Sequence, residues 1–561
     1  MKLEQWQSAW QQLIGAGSPY EVQSAPVSGA KSFRHSADNV WAAIDSGRAH
    51  GDREFLVWEQ QRLTFSQFFD QVDRLAGQLS HRFGVRQGDR VAIAMRNQPA
   101  WLVAFAAIQR CGAVCVPLNS WGLRDELFHG LQDSGAQLLL CDEPRLQLLE
   151  ADLRKQRLAS IVVGMQAQPL QAHCQRLEDL LAGDLLTAPA LNVQADDPAL
   201  ILYTSGTTSL AKGVLSTHRA VCQALVALEF QGAFCAMSSP ERISVVINSG
   251  YAPTTLMAVP LFHVSGLHAQ FLLALRSGRR LLLMYKWDVE KAFDLIRDER
   301  CTQFNGAPVM MQQLLTSPRF GTADTASLFG LGLGGAAPSS SLLAHLTQRK
   351  PEAVGGSGYG LTESNGIGAA IGGDQFVYKP AAAGWPLPIV DVCIGDSPDR
   401  PLPRGVSGLI WLRSPTLMSG YWNLPQASAQ TLRDGWLDTG DIGLLDDEGF
   451  LYITDRAKDL INRGGEKIAA AEVESCACEM PGVIEAAAFA VPDDVLGEVV
   501  FLVVRTEALH APDSDAVRHF IAQRLAGFKV PAQIHVQHTP FERNASGKTL
   551  KGVLKEQLVT A

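Results

Sequence analysis

The sequence predicts a two-domain α/β protein, with a large N-terminal lobe of βα-layered sheets and a small α+β C-terminal domain on a hinge. Its 561 residues exceed the roughly 300 residues at which a single hydrophobic core stops growing. Short apolar strands alternate with amphipathic helices over most of the chain, as in stacked βα units. This character changes near Asp455. We therefore expect domains at residues 1–456 and 457–561.

The alternation of strand and helix is clear in the N-terminal lobe. Residues 281–284 (Leu-Leu-Leu-Met) form an apolar run that predicts a strand. Asp288 then offers a helix N-cap, and apolar residues between Val289 and Ile296 recur with helical spacing. The run 91–94 likewise precedes a predicted helix from Pro99 to Gln109.

Beyond Asp455 the chain becomes rich in β-type runs. The predicted strands are Ala486–Val491, Val499–Val504 and Gln533–Gln537, and the predicted helix is Ser514–Leu525. About a hundred residues is a common size for a separate domain. The segment Asp455–Asp459 is highly charged, as an exposed linker would be, so we expect the hinge there.

Composition excludes several classes of protein. A 47% apolar and 19% charged chain is ordinary for a soluble globular protein, and the net charge of −9 argues against a nucleic-acid-binding surface. The ten cysteines include no Cys-x-x-Cys pair, which favours free thiols in a reducing compartment. No basic start followed by an apolar run is visible at the N-terminus. We expect a cytoplasmic location.

One uncharged stretch, Ile243–Leu275, could suggest a membrane span. Asn248, Pro253 and Pro260 interrupt it, and no run approaches the about 20 apolar residues that spanning requires. We therefore expect a buried segment and no integral membrane association.

The strongest functional signal follows the apolar run 199–203. Residues 204–213 read Thr-Ser-Gly-Thr-Thr-Ser-Leu-Ala-Lys-Gly. Small residues let backbone N–H groups approach phosphate oxygens, hydroxyls donate further hydrogen bonds, and lysine supplies positive charge. We predict a polyphosphate-binding loop with these candidate residues: Thr204, Ser205, Gly206, Thr207, Thr208 and Lys212.

Other interpretations of this loop fit less well. The Walker A spacing is absent, and the similar Gly547-Lys548-Thr549 has Glu542 where the first glycine is required. Ser209-x-x-Lys212 matches penicillin-recognising hydrolases, but no Ser-Asp-Asn or Lys-Thr-Gly partner occurs. A polar surface turn remains the structural alternative for the loop taken by itself.

The loop resembles the phosphate-binding motif of adenylate-forming enzymes, which include acyl- and aryl-CoA synthetases, peptide-synthetase adenylation domains and beetle luciferases. The usual pattern is Tyr-Thr-Ser-Gly-Thr-Thr-Gly-x-Pro-Lys-Gly. This chain departs from it at Ser209 and Ala211. Further motifs follow in the family's order from about Phe55 to Lys551, and the resemblance is strongest to the fatty-acyl and aryl-CoA synthetases.

Two glycine-rich strings resemble the family's nucleotide motifs. In Gly358–Glu363 the resemblance places Tyr359 and Gly360 at the adenine, Thr362 at the α-phosphate and Glu363 on Mg²⁺. A carboxylate is a suitable hard ligand for that ion. The second string, Gly334-Gly335-Ala336, resembles the segment between adenine and the acyl pocket. A glycine-rich turn is the structural alternative, and a loose dinucleotide fingerprint at 332–337 lacks a convincing βαβ unit.

The string Leu437–Asp441 resembles the motif whose final aspartate binds the ribose hydroxyls. A carboxylate can accept hydrogen bonds from both hydroxyls, which suits Asp441, and Arg456 matches the arginine that joins it. An Asp-Thr-Gly triplet also occurs in aspartic proteases. Those enzymes need two carboxylates that share a proton, and no second copy is present.

The remaining resemblances concern the hinge, the catalytic loop and the acyl site. Lys458 matches the hinge position, and Gly465 matches a residue that lines the pantetheine tunnel after the small domain rotates. The segment Asn544–Lys551 resembles the C-terminal catalytic loop, with Lys548 as its lysine. His263 matches an aromatic gate, with a core histidine as the alternative. Ala470 stands where the family usually has proline.

The function that the resemblance implies is activation of a carboxylic acid with ATP and Mg²⁺, followed by transfer of the acyl group to coenzyme A. The implied catalytic residues are Lys548, Thr204, Lys212, Glu363 and His263. The uncharged stretch, with Met310 and Met311, favours an apolar monocarboxylic acid, fatty or aryl-aliphatic. Alternatives are transfer to an acyl-carrier protein, or a degenerate ATP-binding protein, which the departures at Ser209 and Ala211 motivate.

Overall fold

The computed structural model describes residues 2–24, 30–164, 173–188, 190–204, 211–335, 340–506, 511–544 and 547–559. These residues form a mixed α/β fold with a large N-terminal part and a smaller C-terminal part, which confirms the predicted fold class. A two-stranded hairpin, Val22–Ser24 with Lys31–Phe33, lies near the start of the chain.

The first sheet of the large domain has eight strands. In spatial order they are Gly420–Tyr421, Gly213–Thr217, Pro198–Tyr203, Val114–Pro117, Arg90–Ala94, Leu138–Asp142, Ala159–Val163 and Cys174–Arg176. From Pro198–Tyr203 to Cys174–Arg176 the strands run parallel, so their carboxyl ends share one edge. Open sheets of this kind bind ligands outside the carboxyl ends of their strands.

The second sheet has nine strands and is parallel in its centre. In spatial order they are Trp385–Pro386, Ala369–Gly372, Val354–Tyr359, Gly330–Leu333, Gln303–Gly306, Thr254–Met257, Arg280–Leu283, Glu54–Trp58 and Gln61–Thr64. The helix after Arg280–Leu283 begins as predicted, because the Asp288 side chain accepts a hydrogen bond from the Lys291 backbone N–H.

The large domain contains sixteen described α-helices, most of which pack on the faces of the two large sheets. They are Lys2–Ile14, Val40–Asp45, Phe65–His81, Pro99–Arg110, Arg124–Ser134, Glu143–Gln156, Leu177–Ala182, His218–Ser238, Pro240–Asn248, Val264–Gly266, Leu273–Ser277, Val289–Glu299, Pro308–Thr316, Ser340–Arg349, Asp374–Tyr378 and Pro425–Thr431. One core cluster joins helix Pro99–Arg110 to apolar residues of both sheets, with Trp101 and Phe105 stacked inside it. The large domain is therefore layered, as the βα pattern indicated.

A third sheet and the small domain complete the chain. The third sheet consists of Asp391–Ile394, Gly408–Arg413, Trp436–Leu445, Leu432–Arg433 and Leu451–Arg456. The small-domain sheet consists of Glu466–Ile468, Ile461–Arg463, Gly497–Thr506, Val483–Asp493 and Gln533–Gln537. Helices Ala470–Cys478, Ser514–Ala522 and Lys551–Val559 pack on it. Along Gly497–Thr506, alternate residues enter the clusters on opposite faces of the sheet, as the period of a strand requires.

The prediction that Ile243–Leu275 is buried throughout is wrong for its first part. Helix Pro240–Asn248 contains no buried residue, and Ile247 is 72% exposed. Strand Thr254–Met257 is wholly buried, because it enters the second sheet. The absence of charged residues is common to both parts of the segment, so it could not predict that only the strand would be buried.

One helix of the described residues, His218–Ser238, is long and apolar enough to cross a membrane by length and composition alone. More than half of its apolar window is buried, and it packs against strands of both large sheets. Core helices pass the same test, so this is weak evidence for a span.

Candidate active site

The two ends of the predicted phosphate loop meet at the carboxyl end of strand Pro198–Tyr203. The Thr204 N–H donates to the Lys212 carbonyl at 3.0 Å, and the Lys212 N–H lies 3.4 Å from the Thr204 hydroxyl oxygen. The structure thus brings Thr204 and Lys212 together. Ser205, Gly206, Thr207, Thr208 and Ser209 lie outside the described residues.

A tyrosine that the sequence did not suggest joins Lys212 to Glu363. Strand Gly420–Tyr421 pairs with the strand that follows the phosphate loop. The Lys212 ammonium lies 4.8 Å from the centroid of the Tyr421 ring, and the Tyr421 hydroxyl donates to Oε1 of Glu363 at 2.8 Å. Burial and the neighbouring Glu363 raise the pKa of Tyr421, so it remains a donor. No motif in the sequence pointed to this residue.

The surroundings of Glu363 fit a magnesium ion that is shared with a substrate. Mg²⁺ usually takes one or two protein carboxylates together with phosphate oxygens and water. Glu363 provides one such carboxylate, held by Tyr421 and close to the end of the phosphate loop. Over the described ranges, no group of three or more His, Cys, Asp or Glu could form an all-protein metal site. A bound Mg²⁺ would offset phosphate charge here.

A buried carboxylate occupies the predicted ribose site. Asp441 is 3% exposed, and its two oxygens face the Tyr359 hydroxyl at 2.8 Å and Nε of Arg456 at 3.1 Å. Asp441 and Arg456 are also cross-strand partners in the third sheet. Burial raises the pKa of Asp441, and Arg456 opposes that shift. The structure therefore brings Asp441, Arg456 and Tyr359 together, with the tyrosine ring fixed at its polar end.

Of the glycines in the nucleotide motifs, Gly360 lies at a point of close approach, whereas the space beside Gly334 and Gly335 is open. A Cβ on Gly360 would come within 2.3 Å of the Gly366 carbonyl, so only glycine fits there. Thr362 begins the one-turn 3₁₀ helix Thr362–Ser364, which carries Glu363. Gly334 and Gly335 follow strand Gly330–Leu333, and Ala336 is outside the described residues.

Lys548 reaches this site from the small domain. The Asn544 N–H donates to the Lys548 carbonyl and the Lys548 N–H to the Asn544 side chain, both at 2.9 Å. Gly547, at φ +83°, packs so closely on helix Pro308–Thr316 that a Cβ would lie 3.3 Å from Val309. Burial, followed by Arg456 and Lys458, lowers the pKa of Lys548 to about 8. The Lys548 ammonium is therefore largely removed from water, and Asp441, the carboxylate predicted to bind the ribose, is among the charges that act on it.

The hinge residue lies at the edge of this cluster, close enough to Lys548 to affect its pKa, and the tunnel residue is exposed at a turn. Lys458 is exposed in the one-turn 3₁₀ helix Ala457–Asp459. Gly465 is exposed at the turn between strands Ile461–Arg463 and Glu466–Ile468, with open space where a Cβ would lie. Their predicted roles require a different orientation of the small domain and stay predictions. Ala470 is the first residue of helix Ala470–Cys478, a position that also suits proline.

His263 is an uncharged aromatic group in this structure. It precedes helix Val264–Gly266, and its ring centroid lies 4.4 Å from that of Phe262. Burial lowers the pKa of His263 to about 4, so the ring is neutral at neutral pH. A π-helix, Leu267–Leu272, follows, and π-helical turns are frequent at functional sites. The predicted role of His263 as an aromatic gate stays a prediction.

This arrangement suits the transfer of an adenylyl group to an anion. Two anionic reactants need compensating positive charge, and the two lysines predicted to supply it, Lys212 and Lys548, come from the large and the small domain. Asp441 beside Tyr359 adds a place for a nucleoside. The fold and the site together are those of an adenylate-forming enzyme.

Comparison with known proteins agrees with this class. The AMP-binding enzyme family model matches residues 44–422, and the AMP-binding enzyme C-terminal domain model matches residues 472–548. A feruloyl-CoA synthase from an Amycolatopsis species is 34% identical over 499 residues, 88% of this chain and 94% of that protein. The long-chain-fatty-acid–CoA ligase FadD13 of Mycobacterium tuberculosis is 32% identical over 88% of this chain and 93% of its own.

Two further similarities bear on acceptor and fold. The fatty acid–[acyl-carrier-protein] ligase ScoC of Streptomyces coeruleorubidus is 32% identical over 90% of this chain and 93% of its own. The crystal structure of ATP-bound MatB from Rhodopseudomonas palustris superposes with a TM-score of 0.80 at 27% identity, covering 92% of this chain and 98% of that one.

The chain belongs to the AMP-binding enzyme family. It is an AMP-forming acid–thiol ligase, and ATP, Mg²⁺ and coenzyme A are the cofactors of this class.

Proposed function

We propose that this enzyme activates an apolar monocarboxylic acid, fatty or aryl-aliphatic, as its acyl-adenylate and transfers the acyl group to coenzyme A. The observation that carries the proposal is the seating of Lys548. Its loop touches helix Pro308–Thr316 of the large domain and places a desolvated lysine beside Asp441 and Arg456. That is the position from which one ammonium group can contact both a carboxylate and an α-phosphate.

The first half-reaction joins two anions, so its barrier is mainly electrostatic. The acid's carboxylate oxygen attacks the α-phosphorus of ATP, and pyrophosphate leaves toward Thr204 and Lys212. Lys548, in its protonated form, offsets the charge that develops between the acid and the α-phosphate. Asp441 accepts hydrogen bonds from the ribose and fixes the nucleoside during this step.

The apolar character of the acid is inferred from the segments that lead to His263. No Asp, Glu, Lys or Arg occurs between Thr254 and Leu275. Phe262, Met310 and Met311 are buried apolar side chains. A second carboxylate on the substrate would find no cationic partner in these segments. The long-chain and feruloyl relatives support an apolar acid but leave its length open.

Coenzyme A is the proposed acceptor, and a carrier protein is the competing one. The similarity to ScoC is the specific observation that favours the second candidate. The feruloyl-CoA synthase and the long-chain-fatty-acid–CoA ligase cited above are named for coenzyme A, which favours the first.

The decisive experiment measures exchange of labelled pyrophosphate into ATP across a panel of acids, followed by thioester formation from the best acid. We expect exchange with medium- to long-chain fatty or aryl-aliphatic monocarboxylates, weak exchange with dicarboxylates, and a thioester with coenzyme A. Exchange confined to dicarboxylates would refute the proposed acid. Exchange with no coenzyme A thioester, but with acylation of a carrier protein, would refute the proposed acceptor.

A further inference from the structure

A row of glycines crosses one face of the second sheet, and an asparagine stands at its end. The strand registers pair Asn305 with Gly332, Gly332 with Gly356, and Gly356 with Gly372. Paired residues of neighbouring strands direct their side chains to the same face, so these four positions form one line across four strands. Neighbouring strands lie about 4.8 Å apart, which makes this line about 14 Å long.

The row is open in its middle and closed at the end away from Asn305. A Cβ on Gly356 would have only backbone atoms of the neighbouring strand as its nearest described neighbours, at 3.0–4.0 Å. No described side chain from an opposing layer lies as close. Helix His218–Ser238 closes the row at Gly372. Its Cys235 Sγ and Gln231 Nε2 would lie 3.2 and 3.6 Å from a Cβ there. The row is therefore the floor of a groove that ends at this helix.

Asn305 places an amide group over the other end of the groove. A Cβ on Gly332 would come within 2.2 Å of Asn305 Oδ1, so the amide occupies space that the glycine leaves free. Oδ1 accepts a hydrogen bond from Gln303 Nε2 at 3.2 Å. The described residues offer no acceptor to Nδ2, and this group is not enclosed, since Asn305 is partly exposed. The amide thus has a paired acceptor and a free donor.

Gln270 fixes this end of the groove from the opposite layer. It is 3% exposed and lies in the π-helix Leu267–Leu272, which follows His263. Its Nε2 lies 3.3 Å from the carbonyl oxygens of both Ser265 and Asn305, and its Oε1 accepts no hydrogen bond from any described residue. The contact joins the segment of His263 to the strand of Asn305. The amides gathered here make this end of the groove polar but uncharged.

The groove lies next to the nucleotide motifs. Gly332 is two residues before Gly334, and Gly356 is three residues before Tyr359. At about 3.3 Å per residue, the row lies about 7–10 Å along the strands from those motifs. The next step rests on the proposed function, in which the carboxylate meets the α-phosphate at the carboxyl ends of these strands. The rest of the acid then extends over the row of glycines.

We propose that Asn305 determines the specificity for the acid by donating a hydrogen bond from Nδ2 to one uncharged oxygen on an otherwise apolar chain. The substrate class is thus a monocarboxylic acid that carries a hydroxyl, ether or carbonyl oxygen several bonds away from its carboxylate. An acid without this oxygen would cover the donor and leave it unpaired, which weakens binding. A second carboxylate is not favoured, because Gln303, Gln270 and Asn305 are all uncharged.

The test compares acids that differ by one oxygen, namely ω-hydroxy fatty acids with fatty acids of the same length, and 3-(4-hydroxyphenyl)propanoic with 3-phenylpropanoic acid. In the wild type, kcat/KM in labelled pyrophosphate exchange should be about tenfold or more higher for the oxygenated member of at least one pair. Asn305→Leu has a similar volume and no donor, so this ratio should fall to about one while KM for ATP stays within about twofold. Asn248→Leu is the matched control and should keep the wild-type ratio, because Asn248 donates only to Ser244 on an exposed helix.

A wild-type ratio within about twofold for every pair would overturn the assignment, and so would a ratio that persists in Asn305→Leu. Calorimetric titration of the same acids in the presence of AMP is the second arm and requires no turnover. The affinities should show the same preference, and its loss in Asn305→Leu. If no acid supports pyrophosphate exchange, the proposed function fails, yet the titration still decides the role of Asn305, and no binding of either acid of any pair would overturn it. If Asn305→Leu does not fold, Asn305→Ala, which removes the donor and adds no atoms, carries both measurements.

Discussion

Tyr421 donates its phenolic hydrogen to Oε1 of Glu363 across 2.8 Å, and the same ring lies 4.8 Å from the Lys212 ammonium. One side chain thus fixes the carboxylate predicted to bind Mg²⁺ and packs against the cation predicted to bind phosphate. Because both groups are predicted to act on the same polyphosphate, we expect their relative position to affect catalysis.

Tyr421→Phe keeps the ring and removes only this hydrogen bond. A hydrogen bond to a charged group contributes about 1.5–3 kcal/mol, so kcat/KM for ATP in pyrophosphate exchange should fall about tenfold or more. Tyr378→Phe is the matched control, because Tyr378 donates to Glu448 at 3.1 Å on the exposed surface. Equal effects of the two substitutions would show that Tyr421 does not position Glu363.

Lys548→Ala should affect the two half-reactions unequally. Removing one preorganised cation should slow adenylate formation about 10²–10³-fold. Thioester formation from supplied acyl-adenylate and coenzyme A should be largely preserved, since the lysine leaves the site before that step by the family resemblance. Single-turnover measurements of each half-reaction decide the matter. Equal losses in both would refute the assignment.

The pKa of about 8 for Lys548 predicts a pH dependence with a definite sign. A lysine loses its charge above its pKa, so kcat/KM for adenylate formation should decline above about pH 8, while lower pH leaves the ammonium intact. Lys548→Arg keeps its charge throughout this range and should lack that decline, whatever its absolute rate. A decline that persists in Lys548→Arg would assign it to another group.

The layered fold could be predicted because the spacing of apolar residues and the helix N-caps depend on residues that are close together in the sequence. Asp288 caps its helix as expected, and strand Gln533–Gln537 has the predicted bounds. The predicted pairing of Asp441 with Arg456 is also present, since the two residues face each other across adjacent strands.

The contact of Tyr421 with Glu363 could not be predicted, because it arises from strands that are distant in sequence. Tyr421 reaches Glu363 only through pairing of its short strand with residues 214–215. The exposure of Ile247 likewise depends on the absence of a covering element among the described residues, and composition carries no such information.

A partly buried ion pair anchors the helix that follows the Lys548 loop. Lys551 Nζ lies 2.5 Å from Oε1 of Glu474, which also accepts from the Ala488 N–H at 2.7 Å. Glu474→Gln removes this charge partner of Lys551 and should cost about 1.5–3 kcal/mol, seen as earlier unfolding of the small domain in urea monitored by limited proteolysis. Glu474→Gln combined with Lys551→Met should recover much of that loss. No recovery in the double variant would mean that the pair is not coupled.

The hinge prediction can now be tested with a matched pair of variants at Lys458. This residue is exposed between Arg456, which Asp441 holds, and the buried Ile461. Lys458→Ala keeps backbone freedom and should leave thioester turnover within about threefold.

Lys458→Pro should separate the two half-reactions by fixing the backbone of the hinge. Proline holds φ near about −65° and restricts the residue before it, so one domain orientation should be trapped. The orientation seen here, with Lys548 in the site, tolerates the change, since Lys458 is the second residue of its 3₁₀ helix and Pro144 occupies the second position of helix Glu143–Gln156. The variant should therefore form adenylate in a single turnover while coenzyme A transfer falls about a hundredfold or more. Quench-flow measurement of both steps provides the test, and normal thioester turnover in Lys458→Pro would exclude Lys458 as the pivot.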